Sequence, residues 1–496
     1  MELEKSREIL RILKTFNPWW ETGRIENVEE FRRLDLEATK SRLHDNEIIT
    51  IVGARQVGKT TIMEQLIEHV LGEEKPENIL FVRADNSGLN AVSKNPIEDS
   101  LQVYQEYVLK EEISRINHRI YVLIDEVQKI ENWAQTVKSW YDINKKIKFI
   151  ISGSSSAKII MDSTKPFVGR AINQIVVPFK FLETIRYDKF TRNEKSENFV
   201  LIRNTLRDNL RLVIEKMEIT EKDINHIYSG FYDAYKSLML QENYLKSLLK
   251  NYIKKGGYPA VVKDTNSKKC IETLTTNYKD VINSDIKATA LIRKTQLMES
   301  LLVYLARNTS EMLNVGKISS DLEETGTIIT EYIGFLEDTF VISISENFRV
   351  GKGNRVRKKI KKVYINDVGL RNVINNSFDD SVLQNGNELG KLVETVVLNH
   401  CIRLKFNLTG GTRSDAFYWR ENGDEIDIIF ECKKYVLPIE VKYRNRIEKS
   451  DLKAIYNFVK NNNKAPFGFV VTVDKLEYDK ESKIIYVPLW LFLLMV

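Results

Sequence analysis

The stretch Gly53-Ala54-Arg55-Gln56-Val57-Gly58-Lys59-Thr60-Thr61 fits the pattern G-x-x-x-x-G-K-[ST]. Its residue types suit the holding of a chain of phosphates. Gly53 and Gly58 let the backbone turn tightly and bring its N–H groups close to phosphate oxygens. Lys59 adds a point charge against the terminal phosphates. The hydroxyl of Thr60 is of the kind that ligates Mg2+. The run Gly53–Thr61 as a whole, with Arg55, Gln56, Val57 and Thr61, is therefore the candidate cradle for a nucleotide.

A second group of residues matches this chemistry. The apolar run Ile120–Ile124 ends in Asp125-Glu126. Asp125 can hold a Mg2+ shell through water, and Glu126 can polarise an attacking water. A third run, Lys148–Ser152, leads into Gly153-Ser154-Ser155-Ser156. A polar residue there can sense a γ-phosphate, and Ser154 is preferred to Ser152. Arg170, just before Ile172–Val177, can complete such a site as an arginine finger, in its own site or in a neighbour's.

These residues need elements to position them. Ile48–Val52 reads as a strand, and Thr61–Leu71 has apolar residues at helical spacing (Ile62, Leu66, Val70). Strand, glycine loop and helix N-terminus together bind phosphate. Asn78–Val82, Ile120–Ile124, Lys148–Ser152 and Ile172–Val177 read as further strands. The run to Ile124 is apolar on both faces, as a central parallel strand must be.

With Pro178-Phe179-Lys180-Phe181-Leu182-Glu183 following Gly169-Arg170, this set resembles an AAA+ ATPase. More narrowly, it is similar to an archaeal and bacterial group that carries a restriction-nuclease-like C-terminal domain. The resemblance implies ATP and Mg2+ as ligands. It spans nearly the whole chain and is thinnest over residues 187–250.

Residues 187–290 read as helices with charged faces, broken at Gly256-Gly257-Tyr258-Pro259, a turn similar to one in the same group. Residues 297–366 resemble a winged helix. Helices are expected over Met298–Ala306, Lys317–Glu323 and Ile328–Leu336, and a hairpin from Phe340–Ile344 and Lys362–Ile365. The hairpin tip carries Lys352, Arg355, Arg357, Lys358, Lys359 and Lys361 without an acid. Such a basic tip can contact nucleic-acid phosphates, although a solvated tip explains it as simply.

After a polar, turn-rich stretch over 375–387, Glu394 falls on an expected helix, Asp427 on a strand, and Glu440-Val441-Lys442 on the next. This order resembles the core of PD-(D/E)XK nucleases. Alternation puts Glu440 and Lys442 on one strand face. The carboxylates can bind a second Mg2+ or Mn2+, with Lys442 orienting water. Alternatively, Lys442 itself neutralises the acids and leaves a structural ion cluster. A cation is favoured here because Glu394 adds a carboxylate that one lysine does not balance.

The chain has 496 residues, 43% hydrophobic and 29% charged, with a net charge of +6. That size allows several cores, and the mild positive excess permits nucleic-acid binding without demanding it. The three cysteines, Cys270, Cys401 and Cys432, form no C-x-x-C pair. This speaks against a disulfide framework or a zinc site. No secretory leader opens the sequence, and the apolar tail 485–496 is too short to span a bilayer. A cytoplasmic protein without membrane contact is expected.

The expected fold class is α/β: a P-loop parallel sheet with a helical lid, a winged helix and an α/β nuclease-like domain. The expected divisions are an arm over 1–46, an ATPase core over 47–186, a helical lid over 187–296, a winged helix over 297–370 and the nuclease-like domain over 371–496. The expected function is Mg2+-dependent ATP hydrolysis coupled to DNA binding or processing, in a chain that could assemble with copies of itself. The alternative is a nucleotide-dependent switch whose nuclease-like domain is inactive and docks protein partners.

Overall fold

The computed structural model describes residues 3–154, 169–286, 294–349, 360–409 and 416–496. Packing divides the chain into two units, one of Met1–Val177 with Asp338–Phe340, the other of Pro178–Glu337 with Val341–Val496. This packing division falls before the Pro178–Glu183 motif, and the arm over 1–46 packs with the first unit.

The first unit is built on five strands: β1 (Ile48–Gly53), β2 (Ile79–Arg83), β3 (Ile120–Asp125), β4 (Ile147–Gly153) and β5 (Ala171–Val176). They form a sheet of order β2-β3-β4-β1-β5 in which every pairing is parallel. β1, β3 and β4 are buried at every position, which explains their unbroken apolar sequences. Parallel direction places all the strand C-termini on one edge of the sheet. Gly53 has no side chain because β5 runs too close. A Cβ there would collide with the Val176 carbonyl oxygen.

β2 is an edge strand, and the N-terminal arm covers it. The helix Leu3–Phe16 buries Ile9 and Leu13 in the core. Asn17 then acts as a substitute strand residue: it accepts from Phe81 N (2.6 Å) and donates to Phe81 O (2.9 Å). Both indoles, Trp19 and Trp20, donate to the Ile79 carbonyl at 3.1 and 2.8 Å. The tryptophan pair is thus an anchor that closes an exposed sheet edge. Buried Lys148 fixes the turn before β1 by donating to the carbonyls of Arg42, Asp45 and Glu47.

In the second unit, Glu197–Ile214, Glu221–Leu238 and Glu242–Lys255 are the helices that the charged apolar stripes predict. The helices Thr295–Arg307, Val315–Asp321 and Gly326–Asp338 follow. Among the described residues the strands are β6 (Met312–Leu313), β7 (Ile342–Asn347), β8 (Lys361–Ile365), β9 (Ala416–Glu421), β10 (Asp424–Glu431), β11 (Val436–Lys442), β12 (Gly468–Thr472), β13 (Glu477–Asp479) and β14 (Ile484–Pro488). They form one sheet of order β13-β14-β12-β11-β10-β9-β7-β8-β6. The sheet runs through the expected boundary at 370/371, because β7 pairs with β9 in parallel. The hairpin expected to be a free wing therefore shares its backbone hydrogen bonds with the C-terminal strands.

The turn Gly256-Gly257-Tyr258-Pro259, which had no assigned task in the sequence, is a packing node. Gly257 N donates to Asp367 Oδ2 (2.7 Å), and Phe179 N donates to Gly257 O (2.7 Å). Tyr252 donates to Phe179 O, and Phe181 N donates to His400 Nε2. A Cβ on Gly257 would strike the Phe179 carbonyl. Asp367 also caps the helix Val368–Ile374 through Leu370 N (2.9 Å).

Replacing Asn17 with Ala removes both partners of Phe81 at a buried edge. The expected loss for the first unit is ~1–3 kcal/mol, the cost of leaving buried backbone groups unpaired. Urea unfolding followed by tryptophan fluorescence should show the lower midpoint; an unchanged midpoint would mean that water replaces Asn17 at no cost.

Candidate functional site

The phosphate loop follows β1 and leads into the helix Lys59–Leu71. Gly58 has φ +94° and Gln56 φ +59°, so the loop takes the left-handed turns that the two-glycine pattern allows. Lys59 is buried, and its ammonium donates back to Gly53 O (3.1 Å) and Ala54 O (2.8 Å). Val57 is fully buried.

β3 ends beside this loop. Thr60 Oγ1 donates to Asp125 Oδ2 at 2.7 Å. The strand order explains the meeting: β4 lies between β1 and β3, and its penultimate residue also reaches the acid. Ser152 Oγ bonds Asp125 Oδ1, which also accepts from Glu126 N at 3.1 Å. Asp125 is almost fully buried, so these donors compensate its lost hydration. Glu126 has φ +57°, unusual for a residue with a side chain. Gln128 Nε2 donates to Glu126 Oε2 and to Ser154 Oγ, the latter at 2.9 Å.

The structure thus brings Lys59, Thr60, Asp125, Glu126 and Ser154 to one edge of the sheet. Ser152 is committed to Asp125, while Ser154 is tied to Glu126 through Gln128. Sequence reading missed Gln128 and Glu64, and weighed Ser152 only as a phosphate sensor. Glu64 lies one helical turn after Thr60; burial, and then the Asp125 carboxylate, push its pKa up against the pull of Arg83. A turn of spacing from Thr60 was the available signal for Glu64. Nothing in the local pattern marks Gln128. Thr60 and Asp125 are the residues whose oxygens fit a Mg2+ that also holds nucleotide phosphates.

Arg170 requires a correction. It precedes β5, its carbonyl accepts from Ile48 N (2.8 Å), and its guanidinium pairs with Asp142 at 3.4 Å. It therefore stands at the N-terminal edge of the sheet. Six residues of strand, roughly 20 Å at ~3.3 Å per residue, separate that edge from the loop. Arg170 cannot act as a finger in its own site.

The second predicted cluster also assembles. Tyr364 OH donates to Glu394 Oε1 (2.7 Å), and Lys362 Nζ meets Glu394 (3.2 Å) and Glu425 (2.6 Å). Asp427 Oδ2 accepts from Val441 N (2.8 Å), and Glu440 pairs with Lys442. Asp427 N lies 3.4 Å from Glu440 Oε2. Lys362 was not foreseen, because it comes from β8, far away in sequence.

Lys362 brings a second lysine to the cluster, and Glu425 a fourth carboxylate. Two lysines, buried Lys362 and half-buried Lys442, face Glu394, Glu425, Asp427 and Glu440. Among the described residues, no group of three or more His, Cys, Asp or Glu is arranged to hold a metal ion. Burial, then Asp427, raises the pKa of Glu440 to about 8 against the pull of Lys442. Burial, then Asp427, raises Glu394 to about 7 against Lys362. Burial disfavours the Lys362 ammonium, but Glu394, Asp427 and Glu425 outweigh it and raise its pKa. The basic tip residues Lys352, Arg355, Arg357, Lys358 and Lys359 lie outside the described residues.

Residues 45–185 match the AAA domain family. Residues 246–381 and 389–492 match two domains of unknown function, DUF8612 and DUF4143. An uncharacterized protein of Methanocaldococcus jannaschii is 27% identical over 204 residues, which cover 40% of this chain and 41% of that protein. An uncharacterized protein of Haemophilus influenzae is 22% identical over 407 residues, covering 80% of this chain and 83% of that protein. A Walker-type ATPase of Pyrococcus abyssi aligns in structure over 71% of this chain and 97% of its own, at 13% identity and a TM-score of 0.38. By the family match over residues 45–185, the first unit carries an AAA-type ATPase-like domain. No helix among the described residues is long and apolar enough to cross a membrane.

The raised carboxyls predict a pH dependence. Glu394 and Glu440 hold protons in the folded chain that they release when unfolded, between pH 4.5 and about 7 to 8. Folded protein binds more protons in that window, so this contribution to stability falls as pH rises through it. Glu440→Gln keeps a neutral group there. Its melting temperature relative to the unsubstituted chain should rise from pH 5 to pH 8; a constant difference would show that Glu440 does not titrate in this window.

Proposed function

We propose that the chain is a Mg2+-dependent ATPase whose nucleotide cycle is read out by its second unit. The observation that carries this is the contact of Thr60 with Asp125, with Glu126 next in sequence and linked to Ser154 through Gln128. The loop N–H groups would cradle the phosphates, and Lys59 would meet the β- and γ-phosphates. Thr60 and Asp125 would hold the Mg2+, which shields phosphate charge. Glu126 would accept the proton of the attacking water, in an orientation set by Gln128. Arg170, at the far edge of its own sheet, would serve the site of a neighbouring copy.

For the second unit, binding without cleavage is the favoured reading. Lys362 and Lys442 occupy the acid cluster that a nuclease would need for metal. DNA suits the acid-free basic run over 352–361 by charge, and docked protein is the alternative.

Lys59→Ala should lose ATP binding or turnover, and Glu126→Gln should bind ATP yet turn it over slowly, in a steady-state assay beside calorimetry. Normal hydrolysis by both would remove this site. If Arg170 acts in trans, mixing Arg170→Ala with Lys59→Ala chains should restore part of the turnover that each lacks.

The second unit has its own test. Calorimetry with Mn2+ on the Lys59→Ala chain should show no saturable site that Asp427→Asn abolishes. Such a site would restore the nuclease reading.

A further inference from the structure

Arg33 lies 20 residues before the phosphate loop, outside every motif, yet its guanidinium touches the loop. It is buried, 5% exposed. Nη1 donates to the Val57 carbonyl at 2.7 Å, and Nη2 donates to the Val177 carbonyl at 2.9 Å. Asp35 holds the guanidinium at 3.2 Å and itself accepts from Gln174 of β5 at 2.9 Å. The segment before it is pinned too: Gln65, on the loop helix, donates to the carbonyls of Glu29 (2.7 Å) and Phe31 (3.0 Å).

The peptide that Arg33 grips is the one joining Val57 to Gly58. A peptide is planar, and its C=O and N–H point in opposite directions. Fixing the Val57 oxygen on Arg33 therefore fixes the Gly58 N–H toward the other side. A cation on the carbonyl also polarises the peptide and makes that N–H a better donor. The second grip is on Val177, the last residue of the first unit before the chain passes into the second.

We infer that Arg33 is a positioning residue of the phosphate loop, which holds the Val57–Gly58 peptide ready for a nucleotide phosphate and ties it to the end of β5. This inference rests on the ATPase reading above. Because the loop binds the phosphates of ATP and ADP alike, Arg33 acts on affinity for both and not on the chemical step.

The test uses the full chain. Calorimetry measures Kd for ADP, and for ATP in the Glu126→Gln background. Arg33→Ala should raise both by about tenfold, as for a lost charged hydrogen bond. KM should rise with them, and kcat at saturating ATP should stay within about twofold. Arg33→Lys, which keeps the charge but lacks the planar fork, should recover part of the affinity. Amide exchange over residues 171–177 should respond to ADP in the unsubstituted chain and lose that response in Arg33→Ala. A lower kcat at unchanged Kd would indicate only less folded protein and would overturn the inference, as would unchanged affinities. If Arg33→Ala does not fold, Arg33→Lys and Arg33→Gln supply the same comparison. An unsubstituted chain that binds no ATP would sink the ATPase reading itself. If that chain binds ATP, Lys59→Ala does not, and the Arg33 variants bind normally, then this inference alone fails.

Discussion

The direction of five parallel strands is the constraint on which the first unit depends. Parallel pairing sends each strand's C-terminus to the same edge, so residues from three separate stretches of sequence converge there without long side chains. Thr60 meets Asp125 because Asp125 ends β3 and Thr60 opens the helix that follows the loop from β1, with β4 between the two strands to supply Ser152. The same rule that gathers these residues excludes Arg170, which precedes its strand. Strand direction alone decides that case, before any side-chain geometry is considered.

The second unit is governed by a different constraint, the cost of buried charge. Each ionised carboxylate taken from water needs a partner, and a lysine can be one. Lys362 and Lys442 take that part among Glu394, Glu425, Asp427 and Glu440. The sheet makes this possible by pairing β7 with β9, which brings β8 and its lysine into the same layer as β10 and β11. A wing folded apart from the C-terminal strands would have left the acids with one lysine.

Local patterns were legible in the sequence where the physics is local. The phosphate loop, its flanking strand and helix, and the Asp125-Glu126 strand end all depend on neighbours within a dozen residues. The shared face of Glu440 and Lys442 was legible too, from strand alternation, whereas Glu394 and Asp427 were singled out only by the resemblance to a nuclease core. What stayed hidden were partners distant in sequence. Lys362 reaches Glu394 across 32 residues, Arg33 reaches Val177 across 144, and Gly257 meets Asp367 across 110. No spacing rule links such pairs. The boundary near 370 misled for a related reason: a polar, turn-rich linker marks a break in local structure, but a sheet can close across it.

Gly257, Asp367 and Arg33 share one feature: each fixes backbone groups rather than side chains. Asp367 accepts from the N–H groups of Gly257 and Leu370, and Arg33 donates to the carbonyls of Val57 and Val177. Phe179, one residue into the second unit, exchanges its own N–H with the Gly257 carbonyl. The chain segment Val177–Phe179 is therefore gripped through its backbone on both sides of the division between units. Such contacts do not depend on side-chain packing, so they hold a segment in register even where neighbouring residues vary. A change in the peptide held by Arg33 has a covalent route of two residues to the peptide held by Gly257.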